Sequence, residues 1–317
     1  MNVLITGGAG FIGSHIAEHL LSAGFPDGRK PGVVRVIDNF STGKMQNLQP
    51  FLNKIEFIHG DLLDDHLRDR AVKGVDVIFH QAAIPSVPRS IEEPLSSHLH
   101  GAHATVLLLE SARRHNVKRV VYAGSSSAYG SVEVLPQVET MLPKPKSPYA
   151  ASKLSGEFYA QVFADCYGLD TAILRYFNIF GPRQDPHSPY SGVIAKFCTA
   201  FCKNEPLMIF GDGEQSRDFT YVANVAQANL LAACAKEPLG GRVFNIGCGK
   251  RSSLNRIVEL LNQFTGQSRK AEHKPDRAGD VKHSLADISR AQQTLGYKPE
   301  VSFEEGLKKT LEWARNA

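Results

Sequence analysis

The sequence is short of cysteine, tryptophan and long apolar runs, and each shortage removes a class of protein. Five cysteines in 317 residues, with no C-x-x-C pair, give neither a disulfide scaffold nor a zinc ligand set. Cys166, Cys198, Cys202, Cys234 and Cys248 sit mostly in apolar stretches and read as buried free thiols of a reducing cytoplasm. No metal site is expected. No uncharged apolar run approaches the ~20 residues that cross a bilayer. The opening MNVLITGGAG lacks the basic n-region of a secretory leader, so a cytoplasmic protein with no membrane partner is expected. Charge is nearly balanced, with 36 Lys+Arg against 32 Asp+Glu, a formal +4. The basic residues are scattered rather than gathered into a stripe, which argues against a nucleic-acid partner. There is no internal repeat and no low-complexity tract.

What is present is ordinary globular composition, 42% hydrophobic and 21% charged, long enough for about two domains. Asn2–Thr6 reads as a short buried strand, followed by glycines at 7, 8, 10 and 13 and a helix-like run over 14–21 that stops at Gly24. Further strand-like runs lie at 33–38, 55–60, 75–83 and 117–125, each separated from the next by a helix-like segment. This alternation predicts an α/β, Rossmann-type doubly wound parallel sheet. Past residue 180 the pattern breaks into a Pro- and Gly-rich loop, a helix over 193–203, a helix starting near Asn224, and a strand at 243–247. The expected division is therefore 1–178, a nucleotide-binding domain, and 179–317, a smaller α/β substrate domain. Some later strands, 243–247 among them, are expected to return to the first sheet.

Gly8-x-Gly10-x-x-Gly13 stands where a dinucleotide fingerprint belongs, after a strand and at the opening of a helix. Glycines let the backbone approach a pyrophosphate, and the helix N-terminus offers N–H groups and partial positive charge. Asp38 ends the second strand, where a carboxylate can accept both ribose hydroxyls and would repel a 2′-phosphate. Asn39 follows where an NADP enzyme could place an arginine, so NAD is favoured. Tyr149 and Lys153 are four residues apart, hence on one face if that segment is helical. A tyrosine acting as base near neutrality must lose about 3 pKa units, and a nearby ammonium favours that loss. Ser125-Ser126-Ser127 follow a strand, as a hydroxyl-rich strand end facing a crevice would.

With these elements in place, the sequence resembles the extended short-chain dehydrogenase/reductase family, and specifically its NDP-sugar epimerase branch. The resemblance implies Tyr149 as acid/base, Lys153 on the nicotinamide ribose and Ser125 on the reacting hydroxyl. It implies cofactor contacts at Gly7, Gly10, Phe11, Ile12, Gly13, Asp38, Asn39, Asp61, Leu62, Ala82, Ala83, Tyr149, Lys153 and Tyr176. For the substrate it implies Ser86, Ser125, Ser126, Ser127, Asn178, Val193, Phe210, Arg217, Arg277, Asp280 and Ser284. The two arginines among them, Arg217 and Arg277, could clamp a diphosphate bidentately. The 4,6-dehydratases of the branch carry Asp and Glu where Ser126 and Ser127 stand here, so dehydration is not expected.

The implied activity is NAD-dependent C4 epimerisation of a UDP-sugar. Ser284 occupies the place where glucose-restricted epimerases carry Tyr, and a small residue leaves room for an acetamido group. N-acetylated UDP-hexosamines are therefore expected, with UDP-glucose a further substrate. The alternatives are a UDP-hexuronate epimerase or decarboxylase and a non-catalytic NAD-binding regulatory protein. A homodimer formed through helices near 95–115 and 149–165 is implied too. One departure stands out: Gly101 occupies the position of a family Asn that supports the helix and the site's water network. Asn224 replaces a frequent Asp and reads as a helix cap.

Overall fold

The computed structural model describes residues 1–131, 134–186, 192–275 and 282–316. Seven parallel strands form the central sheet: β1 (Val3–Thr6), β2 (Val34–Asp38), β3 (Glu56–His59), β4 (Val77–His80), β5 (Arg119–Ser125), β6 (Asp170–Tyr176) and β7 (Arg242–Ile246). Their spatial order is β3-β2-β1-β4-β5-β6-β7, and every neighbouring pair is parallel. The winding direction reverses between β1 and β4. In such sheets ligands bind at that reversal, beyond the carboxyl ends of the strands.

Covered on both faces, the strands read as unbroken apolar runs, VLIT in β1 and VIFH in β4. Side chains alternate between faces. Val3 and Ile5 join one core with Ile16 and Leu20 of α1 (Phe11–Ser22), Val225 of α8 (Val222–Cys234) and Leu295 of α10 (Ser289–Leu295). Leu4 joins the opposite core with Val72 of α2 (Asp65–Val72), Leu108 of α5 (Ala104–Arg114) and Phe163 of α6 (Pro148–Tyr167). Each fully buried side chain of this kind stabilises the fold by about 1.5–3 kcal/mol. A third core holds α7 (Val193–Lys203), α9 (Leu254–Thr265) and α11 (Phe303–Asn316) around Phe180, Phe219 and Tyr221. Between α2 and α5 lie α3 (Val87–Glu92), α4 (Pro94–His98) and a single π turn, Leu99–His103, that runs straight into α5.

Local chemistry fixes the helix that matters most. Ser147 caps α6 by accepting from the Ala150 N–H, Pro148 opens its first turn, and Gly168 closes it in the left-handed conformation (φ 68°). A Cβ on Gly156 would lie 2.4 Å from the Tyr122 hydroxyl, so its absence lets α6 pack closely on β5.

Asn224 and the cysteines depart from expectation. Asn224 is not a cap: it lies inside α8, whose N-cap is Tyr221. Its buried carboxamide accepts from the Glu300 and Val301 N–H groups and donates to the Val301 carbonyl, tying α8 to the segment that leads into α11. Nor are the cysteines generally buried. All five are free, but only Cys198 is buried, and Cys166 is exposed.

Candidate active site

A cavity of 750 Å³ opens at the reversal point, between the carboxyl ends of β1 and β4. Its floor is the glycine turn. A Cβ on Gly13 would sit 2.4 Å from the Gly7 carbonyl oxygen, and one on Gly7 would sit 2.8 Å from the Ala82 backbone. Gly7 also holds φ +66°. Only glycine permits this close approach of the turn to α1 and to the loop after β4. The N-cap of α1 is Gly10, and no side chain caps the helix, as suits an end that receives an anion.

Asp38 stands at the end of β2, and its carboxylate accepts from the Ala9 N–H (2.9 Å) and the Phe40 N–H (2.8 Å). Burial raises its pKa, while those two N–H groups and the charge of His59 oppose the rise. With about four lone-pair sites on a carboxylate, two remain for a pair of vicinal hydroxyls. The cradle therefore fits a dinucleotide whose adenosine ribose is unphosphorylated.

All fourteen residues that the resemblance implies for the cofactor line this one cavity, together with Ser86. Sequence reading missed Thr42, Lys44, Gln81, His100 and Arg183, which line it too. Lys44 pairs with Asp185 (3.0 Å), and His100 approaches Asp61 (3.6 Å). Thr42 and Lys44 could have been suspected from the small polar run behind Asp38. His100 and Arg183 carry no local signal and arrive only through the fold.

Tyr149 lies in the first turn of α6 and Lys153 one turn later, both on the cavity wall. The Lys153 ammonium donates to the Ala123 carbonyl (2.8 Å) and lies 5.0 Å from the centre of the Tyr122 ring. Burial pushes its pKa down to about 8. Burial likewise raises Tyr149, and a hydrogen bond with Ser125 draws it partly back. Ser125 ends β5 and accepts from the Ser127 N–H (3.2 Å) and hydroxyl (2.8 Å), so the serine cluster is tied to its own strand end.

The lowered Lys153 pKa makes the stability of the fold depend on pH. The unfolded chain holds that proton more tightly, so stability rises with pH between about 8 and 10.5 and is lowest below that window. Compared as NAD-free proteins, Lys153→Met should melt several degrees above the parent at pH 7, roughly the effect of one to two kcal/mol. The gap should close as the pH approaches 10.5. Differential scanning fluorimetry across pH measures it, and a Lys153→Met variant less stable than the parent at pH 7 would refute the burial argument.

A smaller cavity of 210 Å³ is lined by Asn178, Val193, Arg217, Phe180 and Phe219, among others. Asn178 holds a left-handed backbone (φ 40°), and its amide donates to the Asp218 carbonyl and the Ser284 hydroxyl (3.1 Å each). The Arg217 guanidinium donates to the Lys282 carbonyl (2.8 Å) and to its neighbour's, that of Ser216 (3.1 Å). Ser125, Ser126, Ser127, Phe210 and Ser284 line neither cavity, although Ser125 touches Tyr149 and Ser284 touches Asn178. Phe210 sits on a short strand, Met208–Phe210, paired with Glu272–Lys274. Arg277 and Asp280 fall outside the described residues. Among the described residues no group of three His, Cys, Asp or Glu could hold a metal, and no helix is long and apolar enough to cross a membrane.

Comparison with known proteins identifies the family and the fold. The model of the NAD dependent epimerase/dehydratase family matches residues 3–247. The UDP-glucose 4-epimerase of Mycolicibacterium smegmatis is 38% identical over 320 residues, covering 100% of this chain and 99% of that one. The crystal structure of the Thermotoga maritima UDP-glucose 4-epimerase with UDP-glucose superposes with a TM-score of 0.92 at 40% identity, over 100% and 99% of the two chains. The UDP-N-acetylglucosamine 4-epimerase of Methanobrevibacter ruminantium, solved with UDP-N-acetylmuramic acid, gives 0.91 at 42%, over 98% and 97%.

Proposed function

We propose, from the premise that the chain belongs to the NAD dependent epimerase/dehydratase family, that its preferred substrates are N-acetylated UDP-hexosamines, with UDP-glucose also processed. NAD is its cofactor, and it is an isomerase, a UDP-sugar 4-epimerase. The observation that carries the finer reading is Ser284: a small, buried residue hydrogen-bonded to Asn178 beside the smaller cavity. A bulky residue there would exclude an acetamido group by clash, and serine does not. The similarity to an N-acetylglucosamine epimerase supports the same choice.

In this reading the glycine turn and the α1 N-terminus hold the NAD pyrophosphate, and Asp38 holds the adenosine ribose. Bound NAD supplies the acceptor, and then the donor, of the C4 hydride. The protein does the rest. Ser125 aligns the C4 hydroxyl, and Tyr149 takes its proton and later returns it. The Lys153 cation lowers the cost of the phenolate against the burial that raises it. Asn178 and Arg217 anchor the substrate while the 4-keto sugar turns over. Ser126 and Ser127 offer no carboxyl for water loss.

Residues 179–317 contribute most of the substrate side. A homodimer belongs to the same proposal: Ile91, Leu95 and Leu99 along α3, α4 and the π turn, and Phe158 and Val162 on α6, are exposed apolar side chains that a second copy would cover.

Proton NMR with UDP-N-acetylglucosamine and UDP-glucose together, without added reductant, tests the substrate. Both sugars should yield C4 epimers, the N-acetylated one faster. Turnover of UDP-glucose alone would refute the Ser284 argument and leave the mechanism. No change in either would favour a hexuronate or a regulatory role.

A further inference from the structure

Gly101 sits in the π turn, and its peptide neighbours are joined in an unusual way. A π turn would bond the Ala102 N–H to the Ser97 carbonyl five residues back. Instead a side chain from another helix is inserted between them. The Ser152 hydroxyl accepts from the Ala102 N–H (2.9 Å) and donates to the Ser97 carbonyl (3.0 Å). All of these groups are buried. The insertion needs glycine: a Cβ at residue 101 would lie 2.0 Å from the Ser152 oxygen.

Ser152 directly precedes Lys153 on α6 and is three residues from Tyr149. The Gly101 carbonyl accepts from the Thr105 hydroxyl (2.7 Å), which in turn pairs with His80 Nε2 (2.9 Å). Thr105 spends its proton on Gly101, so His80 must donate through Nε2. Burial first, then the Lys153 charge, lowers the His80 pKa to about 3, so the ring is neutral and its Nδ1 accepts from the Thr6 hydroxyl (2.8 Å). Thr6 also accepts from the Ala82 N–H (3.2 Å), in the turn that packs on Gly7. An unbroken buried chain thus runs from the helix of Tyr149 and Lys153 to the floor of the large cavity.

We propose that Ser152, seated against Gly101, is a positioning residue for the epimerase reaction: it fixes the register of α6, and so of Lys153 and Tyr149, against the cofactor cradle. This rests on the reading of Tyr149 and Lys153 given above. The lock replaces a side chain at 101 with one delivered from the catalytic helix itself.

The test uses the NAD-bound enzyme and four variants, Ser152→Ala, Ser152→Thr, Gly101→Ala and Gly101→Ala/Ser152→Ala. NAD content, melting temperature, kcat, KM and the pH dependence of kcat are read for each. Ser152→Ala should keep its NAD and lose roughly tenfold in kcat with KM within about twofold, a loss within what general acid–base alignment controls. Its acidic limb should move to higher pH, because a misplaced ammonium supports the phenolate less. Ser152→Thr keeps the hydroxyl and should restore both. Gly101→Ala should behave like Ser152→Ala, and the double variant should be no worse than either, since both changes break one contact. A wild-type pH profile in Ser152→Ala, or equal defects in the Thr and Ala variants, overturns the proposal. So does a loss that follows melting temperature alone. If Ser152→Ala does not fold, Ser152→Thr must be near wild type and Gly101→Ala must shift the pH limb, or the proposal falls. Full activity in Tyr149→Phe would instead sink the underlying reading of the site, whatever Ser152 does.

Discussion

Tyr149→Phe should lower kcat by roughly 10²–10⁴-fold, the span typical of a lost general acid–base group, while NAD still co-purifies and the melting temperature holds. The phenol bonds Ser125, and Tyr149 shares the cavity wall with Lys153. Phenylalanine fills the same space and keeps the ring packing, so the cradle built from Gly7, Gly13 and Asp38 is untouched. The ratio of absorbance at 260 and 280 nm reports bound nucleotide, and NMR of the sugar reports turnover. Loss of NAD along with activity would make Tyr149 a binding residue. Near-normal turnover would remove it from the chemistry.

Ser284→Tyr should separate the substrates. Ser284 is buried, and its hydroxyl accepts from the Asn178 amide at 3.1 Å. A phenol there takes the volume an acetamido group would need as the sugar turns over. We expect turnover of UDP-N-acetylglucosamine to fall about a hundredfold, which is roughly 2.7 kcal/mol of transition-state stabilisation. UDP-glucose turnover should stay within about tenfold, the margin allowed for the lost Asn178 contact. Separate kcat/KM values for the two sugars decide it. Equal losses on both would mean that Ser284 only supports Asn178 and filters nothing.

How far the sequence could be read follows from how local each signal is. The nucleotide half announces itself because its information lies in short stretches. A buried apolar strand, a glycine turn and a helix fall within the first 22 residues, and Asp38 ends the next strand. Those signals carry the family resemblance, and the fourteen residues that the resemblance implies line one cavity. The second half is less legible, because its contacts join distant segments. Asn224 looks like a cap from its neighbours, yet its partners are 76 and 77 residues away. His100 reaches the cavity from the π turn ahead of α5, and Arg183 from the loop after Phe180. Gly101 looked like a defect in a motif. Its meaning lies on another helix, where Ser152 occupies the space a side chain would take, and no spacing rule connects positions 101 and 152. Cysteine exposure was misread for a related reason: an apolar neighbourhood in sequence does not place the thiol inside, as Cys166 on the outer face of α6 shows.

The central claim is that hydride leaves C4 and returns to the same carbon of the same sugar without meeting solvent. Turnover of UDP-N-acetylglucosamine deuterated at C4, in ordinary water and with no added NAD, tests it directly. The C4 epimer should retain its deuterium at C4, and the unlabelled sugar run in deuterated water should gain none there. Wash-out of the label, or solvent deuterium at C4 of the product, would mean that the carbon is deprotonated rather than oxidised, and would contradict the mechanism built on Tyr149, Lys153 and bound NAD.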